Sequence, residues 1–206
     1  MVGPVKYAGI VLAGGRSRRM GSSKALLPFG PEVMLQRVVR IVGEAVQPVV
    51  VAAQVGQQLP ALPHSIAVVC DRRPNRGPLE GLAVALSGLQ GRADAAFVTG
   101  CDTPLLQPRF VRRMNELLAD FDAVVPCIDG VDQPLLAVYR TSILPHVEQL
   151  ADADGRLIAL LQRLNLRRVA ADLLADVDPH GDLLIRVNTP ADYQVSLTRA
   201  GLAANT

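Results

Sequence analysis

Tryptophan is absent from this 206-residue chain, and phenylalanine and tyrosine bring aromatics to only 3%. So small a supply of flat rings disfavours a platform on which single-stranded bases could stack. The net charge of +2 is too small for a protein that holds duplex nucleic acid by its field. There are three cysteines, Cys70, Cys101 and Cys127, and they form no C-x-x-C pair. An odd number without metal-ligand spacing reads as reduced, cytosolic thiols that mostly fill core. The histidines, His64, His146 and His180, also lack ligand spacing and read as surface or loop residues. No stretch approaches the roughly eighteen uninterrupted apolar residues of a membrane span. Met1-Val2-Gly3-Pro4-Val5-Lys6 lacks the apolar run after a basic cluster that marks a signal peptide. The expectation is a cytoplasmic protein with neither nucleic acid nor membrane as partner.

What is present is apolar and ordered by period. Half the residues are hydrophobic, which argues against disorder over most of the length. Short valine-rich runs alternate with helical patterns, the mark of a parallel sheet with crossover helices. Strands are predicted at 7–12, 49–52, 66–70, 95–99 and 123–125, with helices at 32–46, 78–90 and 108–119 between them. Pro31, Pro78 and Pro108 suit first helical turns. After residue 126 the pattern changes. Residues 127–132 read as a turn and 135–139 as a returning strand. Helical patterns follow near 143–150 and 156–164, then a strand near 167–170 and a last helix from Pro190. The fold predicted is α/β, a Rossmann-like, doubly wound and mostly parallel sheet. The chain reads as a single domain, with residues 1–126 a nucleotide-binding half and 127–206 an acceptor-binding half on the same sheet. Ligands of such sheets bind beyond the carboxyl ends of the strands.

The first strand empties into Leu12-Ala13-Gly14-Gly15-Arg16-Ser17-Arg18-Arg19-Met20-Gly21-Ser22-Ser23-Lys24. A Gly-rich, cationic loop at a strand end brings backbone N–H groups and positive charge up to a polyphosphate. A P-loop is excluded because Lys24 follows Ser23 and precedes Ala25, and the G-x-G-x-x-G dinucleotide fingerprint is missing too. Arg16 and Arg18 taken singly fit a solvated loop as well as a phosphate site.

This run resembles the L-A-G-G-x-S-x-R-M-G-x-x-K signature of nucleotidyltransferases, in the branch of molybdenum cofactor guanylyltransferases. The match falls on Leu12, Ala13, Gly14, Gly15, Ser17, Arg19, Met20, Gly21 and Lys24. The resemblance implies a three-layer fold like that of nucleotide-diphospho-sugar transferases. It extends over four further motifs. Cys101-Asp102-Thr103-Pro104 resembles the family's C-D-x-P, in which the aspartate binds the metal. A carboxylate held at a strand end does suit Mg²⁺, which takes one or two carboxylates plus phosphate oxygens. Gly77-Pro78-Leu79-Glu80-Gly81-Leu82 is similar to G-P-L-x-G-L, where a purine or ribose could approach the backbone. Asn188-Thr189-Pro190-Ala191-Asp192 resembles N-T-P-x-D/E. There Thr189 and Asp192 also serve as cap and first-turn acid of a helix, whereas Asn188 lies outside the cap and could reach the metal–phosphate site or the acceptor. Gln133-Pro134-Leu135-Leu136-Ala137 corresponds to an acceptor-side wall or, equally, a plain edge strand. Asp71, ending the third strand, is a turn former from spacing alone; the resemblance makes it a nucleotide contact. Two positions depart from the family: Ala52 and Arg186 stand where asparagines are often found.

The resemblance implies transfer of GMP from GTP to molybdopterin, or its molybdenum-loaded form, with release of pyrophosphate. Arg19, Lys24 and Asp102 are the expected catalytic residues. Leu12, Ala13, Gly14, Gly15, Lys24, Asp71, Gly77, Pro78, Gly81 and Asn188 are expected to contact the nucleotide, and Asp102 to hold Mg²⁺. Other cofactor-biosynthesis proteins or molybdoenzymes are possible partners. The alternatives are a nucleotidyltransferase of the same fold that uses CTP or a sugar phosphate, and a GTP-binding carrier without chemistry. An alanine in place of the second glycine of L-A-G-G is the expected mark of the cytidylyl branch, so Gly15 favours guanine.

Overall fold

The computed structural model describes residues 4–14, 23–73, 76–153 and 155–202. Tyr7–Leu12 forms β1, buried from Ala8 onward. Its β-branched and small residues have no polar face to give to water, as befits a strand covered on both sides. Pro28–Phe29 (β2) and Glu32–Val33 (β3) form a small hairpin that leads into α1, Met34–Gly43. Val49–Ala53 (β4), Ala67–Cys70 (β5), Pro78–Leu89 (α2), Ala95–Gly100 (β6) and Pro108–Glu116 (α3) complete the first half. Ala123–Ile128 (β7), Val131–Asp132 (β8), Leu136–Arg140 (β9), Leu144–Asp152 (α4), Leu157–Leu161 (α5), Leu166–Ala170 (β10) and Pro190–Arg199 (α6) follow.

Eight strands make one sheet in the order β10-β7-β9-β6-β1-β4-β5, with β8 paired to β7. β1 runs parallel to both β4 and β6, and β4 parallel to β5. β9 is inserted antiparallel between β6 and β7, and β8 pairs antiparallel with β7. One face of the sheet packs on α1 and α3 through Leu35, Val38, Val42, Phe110, Val111 and Met114. The other packs on α2, α4 and α5 through Leu82, Leu86, Leu89, Val147, Leu150 and Leu160. This is a three-layer, Rossmann-like sandwich. Burying one such side chain fully is worth about 1.5–3 kcal/mol before entropy is set against it. A third cluster of Phe29, Met34, Leu105, Val187 and Leu197 seats α6 against the β2–β3 hairpin.

Two local expectations are corrected. Pro31 does not open a helix: Pro28 pairs with Val33 and Phe29 with Glu32. Because the Phe29 ring is fully buried, the chain turns at Gly30–Pro31 before α1 can start at Met34. Residues 127–132 are not all turn either. β7 continues to Ile128 and pairs with Val131 across Asp129–Gly130.

The registers put strand ends level. Leu12 lies beside both Ala52 and Gly100, and Ala53 beside Cys70. The ladder runs one step further on each side. Ala13 N donates to Ala52 O at 2.8 Å, Asp71 N to Ala53 O at 2.9 Å and Cys101 N to Leu12 O at 3.0 Å. The residues that follow these four strands therefore emerge together. β9 joins them by running backwards: Leu136 pairs with Thr99, so the segment before β9 arrives at the same edge.

Candidate active site

Beyond that edge lies a cleft of about 420 Å³. Of the residues singled out from sequence, Leu12, Ala13, Gly14, Lys24, Asp71, Gly77, Pro78, Gly81 and Asp102 all line it. Ala52, Gln54, Gly100, Cys101 and Leu135 complete the lining. Arg19 and Gly15 lie outside the described residues, with the rest of 15–22. No histidine is among the described residues that line the cleft.

Asp102 sits on a braced turn after β6. Thr103 Oγ1 donates to Gly100 O at 3.0 Å and lies 2.9 Å from Thr99 Oγ1. Val187 N donates to Asp102 O at 2.9 Å, tying the turn to the segment before α6. The Asp102 carboxylate folds back over Gly100, where a Cβ would stand only 2.5 Å from Oδ1. Any side chain at 100 would push that carboxylate aside.

Lys24 links Asp102 to Asn188, two residues from distant parts of the chain. Lys24 Nζ is 3.4 Å from Asp102 Oδ2 and donates to Asn188 Oδ1 at 2.8 Å. Asn188 is held in turn by its N–H, which donates to Asp192 Oδ2 at 3.0 Å. The same carboxylate accepts from Thr189 N at 2.8 Å, while Thr189 Oγ1 accepts from Asp192 N at 3.2 Å. That is a capping box on α6, as the sequence implied for Thr189 and Asp192. Two oxygens, one carboxylate and one carboxamide, thus converge on one positive group. Such a donor pair suits a hard divalent ion that takes its remaining ligands from phosphate and water. Among the described residues no group of three or more His, Cys, Asp or Glu side chains forms a metal cage.

Cys101 adjoins Asp102 but is buried, and burial together with the Asp102 charge pushes its thiol up to about 12. It stays protonated at neutral pH and is no nucleophile.

On the opposite wall, Asp71 follows β5 and is almost wholly buried. Burial, and then the charge of Glu80, raise its carboxyl to about 6. Gly77 precedes α2 at φ 72° and ψ −164°, a conformation essentially reserved for glycine. It turns the chain so that Pro78 can start α2 against the cleft.

A family model described as a MobA-like NTP transferase domain matches residues 9–171. The chain belongs to that family. A probable molybdenum cofactor guanylyltransferase from Carboxydothermus hydrogenoformans is 31% identical over 185 residues, covering 89% of this chain and 91% of the relative. One from Mycobacterium tuberculosis H37Rv is 39% identical over 177 residues, covering 82% and 86%. The crystal structure of molybdopterin-guanine dinucleotide biosynthesis protein A from Archaeoglobus fulgidus superposes with a TM-score of 0.78 at 20% identity. It covers 94% of this chain and 98% of its own, which shows a shared fold.

Within this MobA-like chain, Glu80 is a feature that sequence reasoning passed over. Its side chain is 0% exposed. It accepts from Arg72 N at 3.1 Å, Arg72 Nε at 3.1 Å and Arg73 Nη2 at 3.0 Å. The two arginines reach on to α4, at Glu148 (3.4 Å) and Asp152 (2.7 Å). Burial pushes the Glu80 carboxyl up, but the hydrogen bonds from Arg73 and Arg72 outweigh it and leave it below its ordinary value. The signal was present: a lone acid in the apolar opening of α2, with two arginines a few residues earlier.

Proposed function

We propose that this MobA-like protein transfers GMP from GTP to the terminal phosphate of molybdopterin, or of its molybdenum-loaded form, and releases pyrophosphate. The observation that carries this reading is the convergence of Lys24, Asp102 and Asn188 beside the Gly14 backbone at the ends of β1 and β6. The named relatives support guanine as the base and the pterin as the acceptor.

The acceptor is already an anion, so the reaction needs no strong general base, in keeping with a cleft without histidine or an ionisable thiol. An oxygen of the acceptor phosphate bonds to the α-phosphorus of GTP. The bond from that phosphorus to the bridging oxygen breaks, and pyrophosphate departs with the electron pair. No proton has to move. The chain's contribution is to hold two anions in line and offset their charge. The Gly14 amide, with Gly15, cradles phosphate oxygens. Lys24, with Arg19, offsets charge on the leaving pyrophosphate. Asp71 contacts the nucleotide, and Leu12, Ala13, Gly77, Pro78 and Gly81 wall the base and ribose. A divalent ion, Mg²⁺ in this reading, held by Asp102 with Asn188 beside it, supplies further charge neutralisation.

Residues 1–126 serve the donor and 127–206 the acceptor, in one domain that works in the cytoplasm. On this reading Arg186 is an acceptor-side residue; its Nη2 is buried without a hydrogen-bond partner among the described residues, which would suit a phosphate.

The test is pyrophosphate release from each of the four NTPs, with and without molybdopterin. Release from GTP that requires the pterin supports the reading. A preference for CTP, or tight GTP binding without turnover, replaces it with the cytidylyl or the carrier alternative.

A further inference from the structure

Gln57 touches neither Asp102 nor Lys24 and is not among the residues lining the cleft, yet both ends of its side chain are committed. Its Oε1 accepts from Gln54 N at 3.0 Å, and its Nε2 donates to Ala13 O at 2.8 Å. Its backbone N–H also donates to Gln54 O at 3.0 Å, so residues 54–57 close into a tight turn that aims the side chain back at β1. One partner is a backbone N–H and the other a backbone C=O, so the direction of the carboxamide is fixed. Cys101 Sγ lies 3.9 Å from the same Ala13 oxygen, adding a weak second donor.

The carbonyl being held is the first half of the Ala13–Gly14 peptide. In a planar trans peptide the C=O and the following N–H point in opposite directions. Holding Ala13 O against Gln57 therefore turns the Gly14 N–H away from Gln57. That N–H has no acceptor among the described residues, although Gly14 itself lines the cleft. A backbone donor at a glycine that finds no acceptor among the described residues, its orientation set from behind by a side chain, is suited to an anion.

We infer that Gln57 is a positioning residue for the donor's phosphates: it orients the Ala13–Gly14 peptide so that the Gly14 amide is presented to them. The inference rests on the reading above, in which Gly14 meets the triphosphate. It predicts an effect on donor affinity that leaves the chemistry and the acceptor alone.

Gln57→Glu separates orientation from mere anchoring. The carboxylate keeps an acceptor for Gln54 N but sets an oxygen against Ala13 O where a donor was. Gln57→Met keeps the length and removes both bonds. Steady-state kinetics should show the KM for GTP about tenfold higher in Gln57→Glu, with kcat and the KM for molybdopterin within about twofold of the parent. Inhibition by inorganic pyrophosphate should weaken by the same factor, because phosphate alone is being read. Gln57→Met should change in the same direction, and it serves as the test if Gln57→Glu does not fold. Unchanged GTP and pyrophosphate constants in either folded variant overturn the inference. So does a loss shared equally by kcat and both KM values, or a rise in GTP KM with pyrophosphate inhibition intact. A parent enzyme that neither binds nor uses GTP refutes the functional reading instead, and is told apart by failing before any substitution is made.

Discussion

Lys24 and Asn188, 164 residues apart in the chain, are joined by a 2.8 Å hydrogen bond from ammonium to carboxamide oxygen. The bond links the cleft-lining Lys24 to the segment before α6. If Lys24 offsets charge that develops on pyrophosphate, Lys24→Met should lower kcat about 10²–10³-fold, the scale of one lost electrostatic donor. Asn188→Ala should lower it less, because Asp102 remains. Pre-steady-state measurement of GMP transfer checks both.

Asp102→Asn keeps the shape of the β6 turn, since Thr103 and Val187 brace its backbone rather than its carboxylate. The variant should fold with a melting temperature near the parent's and lose roughly 10²-fold or more in turnover. Stripping divalent ions with EDTA should silence the parent, and Mg²⁺ should restore it. Near-normal turnover by Asp102→Asn with GTP and Mg²⁺ refutes the metal assignment.

Asp71 sets a pH dependence. Its carboxyl is raised to about 6, against about 3.9 in an unfolded chain. Between those values the folded state binds more protons than the unfolded one, so Asp71's contribution to stability falls as pH rises through that window and is least favourable above it. Asp71→Asn should therefore melt higher relative to the parent at pH 7.5 than at pH 4. Its effect on nucleotide affinity has the other sign. If Asp71 contacts the nucleotide as a carboxylate, as proposed, it does so ionised only above about pH 6, so the parent's GTP KM should climb below that point. Asp71→Asn, weaker throughout, should lose that part of the climb. Parallel pH profiles of the two proteins provide the check.

Glu80→Ala removes the buried acceptor of three charged or backbone donors. Losing one partner of a buried ion pair costs about 3–5 kcal/mol when the other stays buried. Arg72 and Arg73 are 50% and 34% exposed and can turn to water, so about 1–3 kcal/mol is expected, read by urea denaturation. Removing the Glu80 charge should also bring the Asp71 titration toward its ordinary range, visible by NMR.

The fold was legible because its signals are local. The short apolar runs of β1, β4 and β6 are buried on both faces, and α2 and α3 open at prolines, so period and punctuation located them. The β2–β3 hairpin was missed because four pairing residues carry almost no period, and burial of Phe29 decided the matter. The cleft was legible where each residue follows a strand: Gly14 after β1, Asp71 after β5, Asp102 after β6. Gln57 was not, and Glu80 carried a local signal, an acid in an apolar helix opening after two arginines, but not its partners. Each acts through a partner far from it in sequence or reached only once the helix has formed, and side-chain pairing of that kind has no spacing to read. The meeting of Lys24 with Asn188 followed the same rule, although each residue had been singled out alone.

The reversed direction of β9 has an evolutionary consequence. The turns proposed to hold the donor follow strands that share one heading, so lengthening any of them disturbs a common rim. The segment between β8 and β9 that supplies Leu135 instead enters the rim from outside, at the beginning of its strand. That segment can be rebuilt, longer or shorter, while the turns after β1, β5 and β6 keep their places; on the reading proposed above, a descendant could then acquire a new acceptor without relearning its nucleotide.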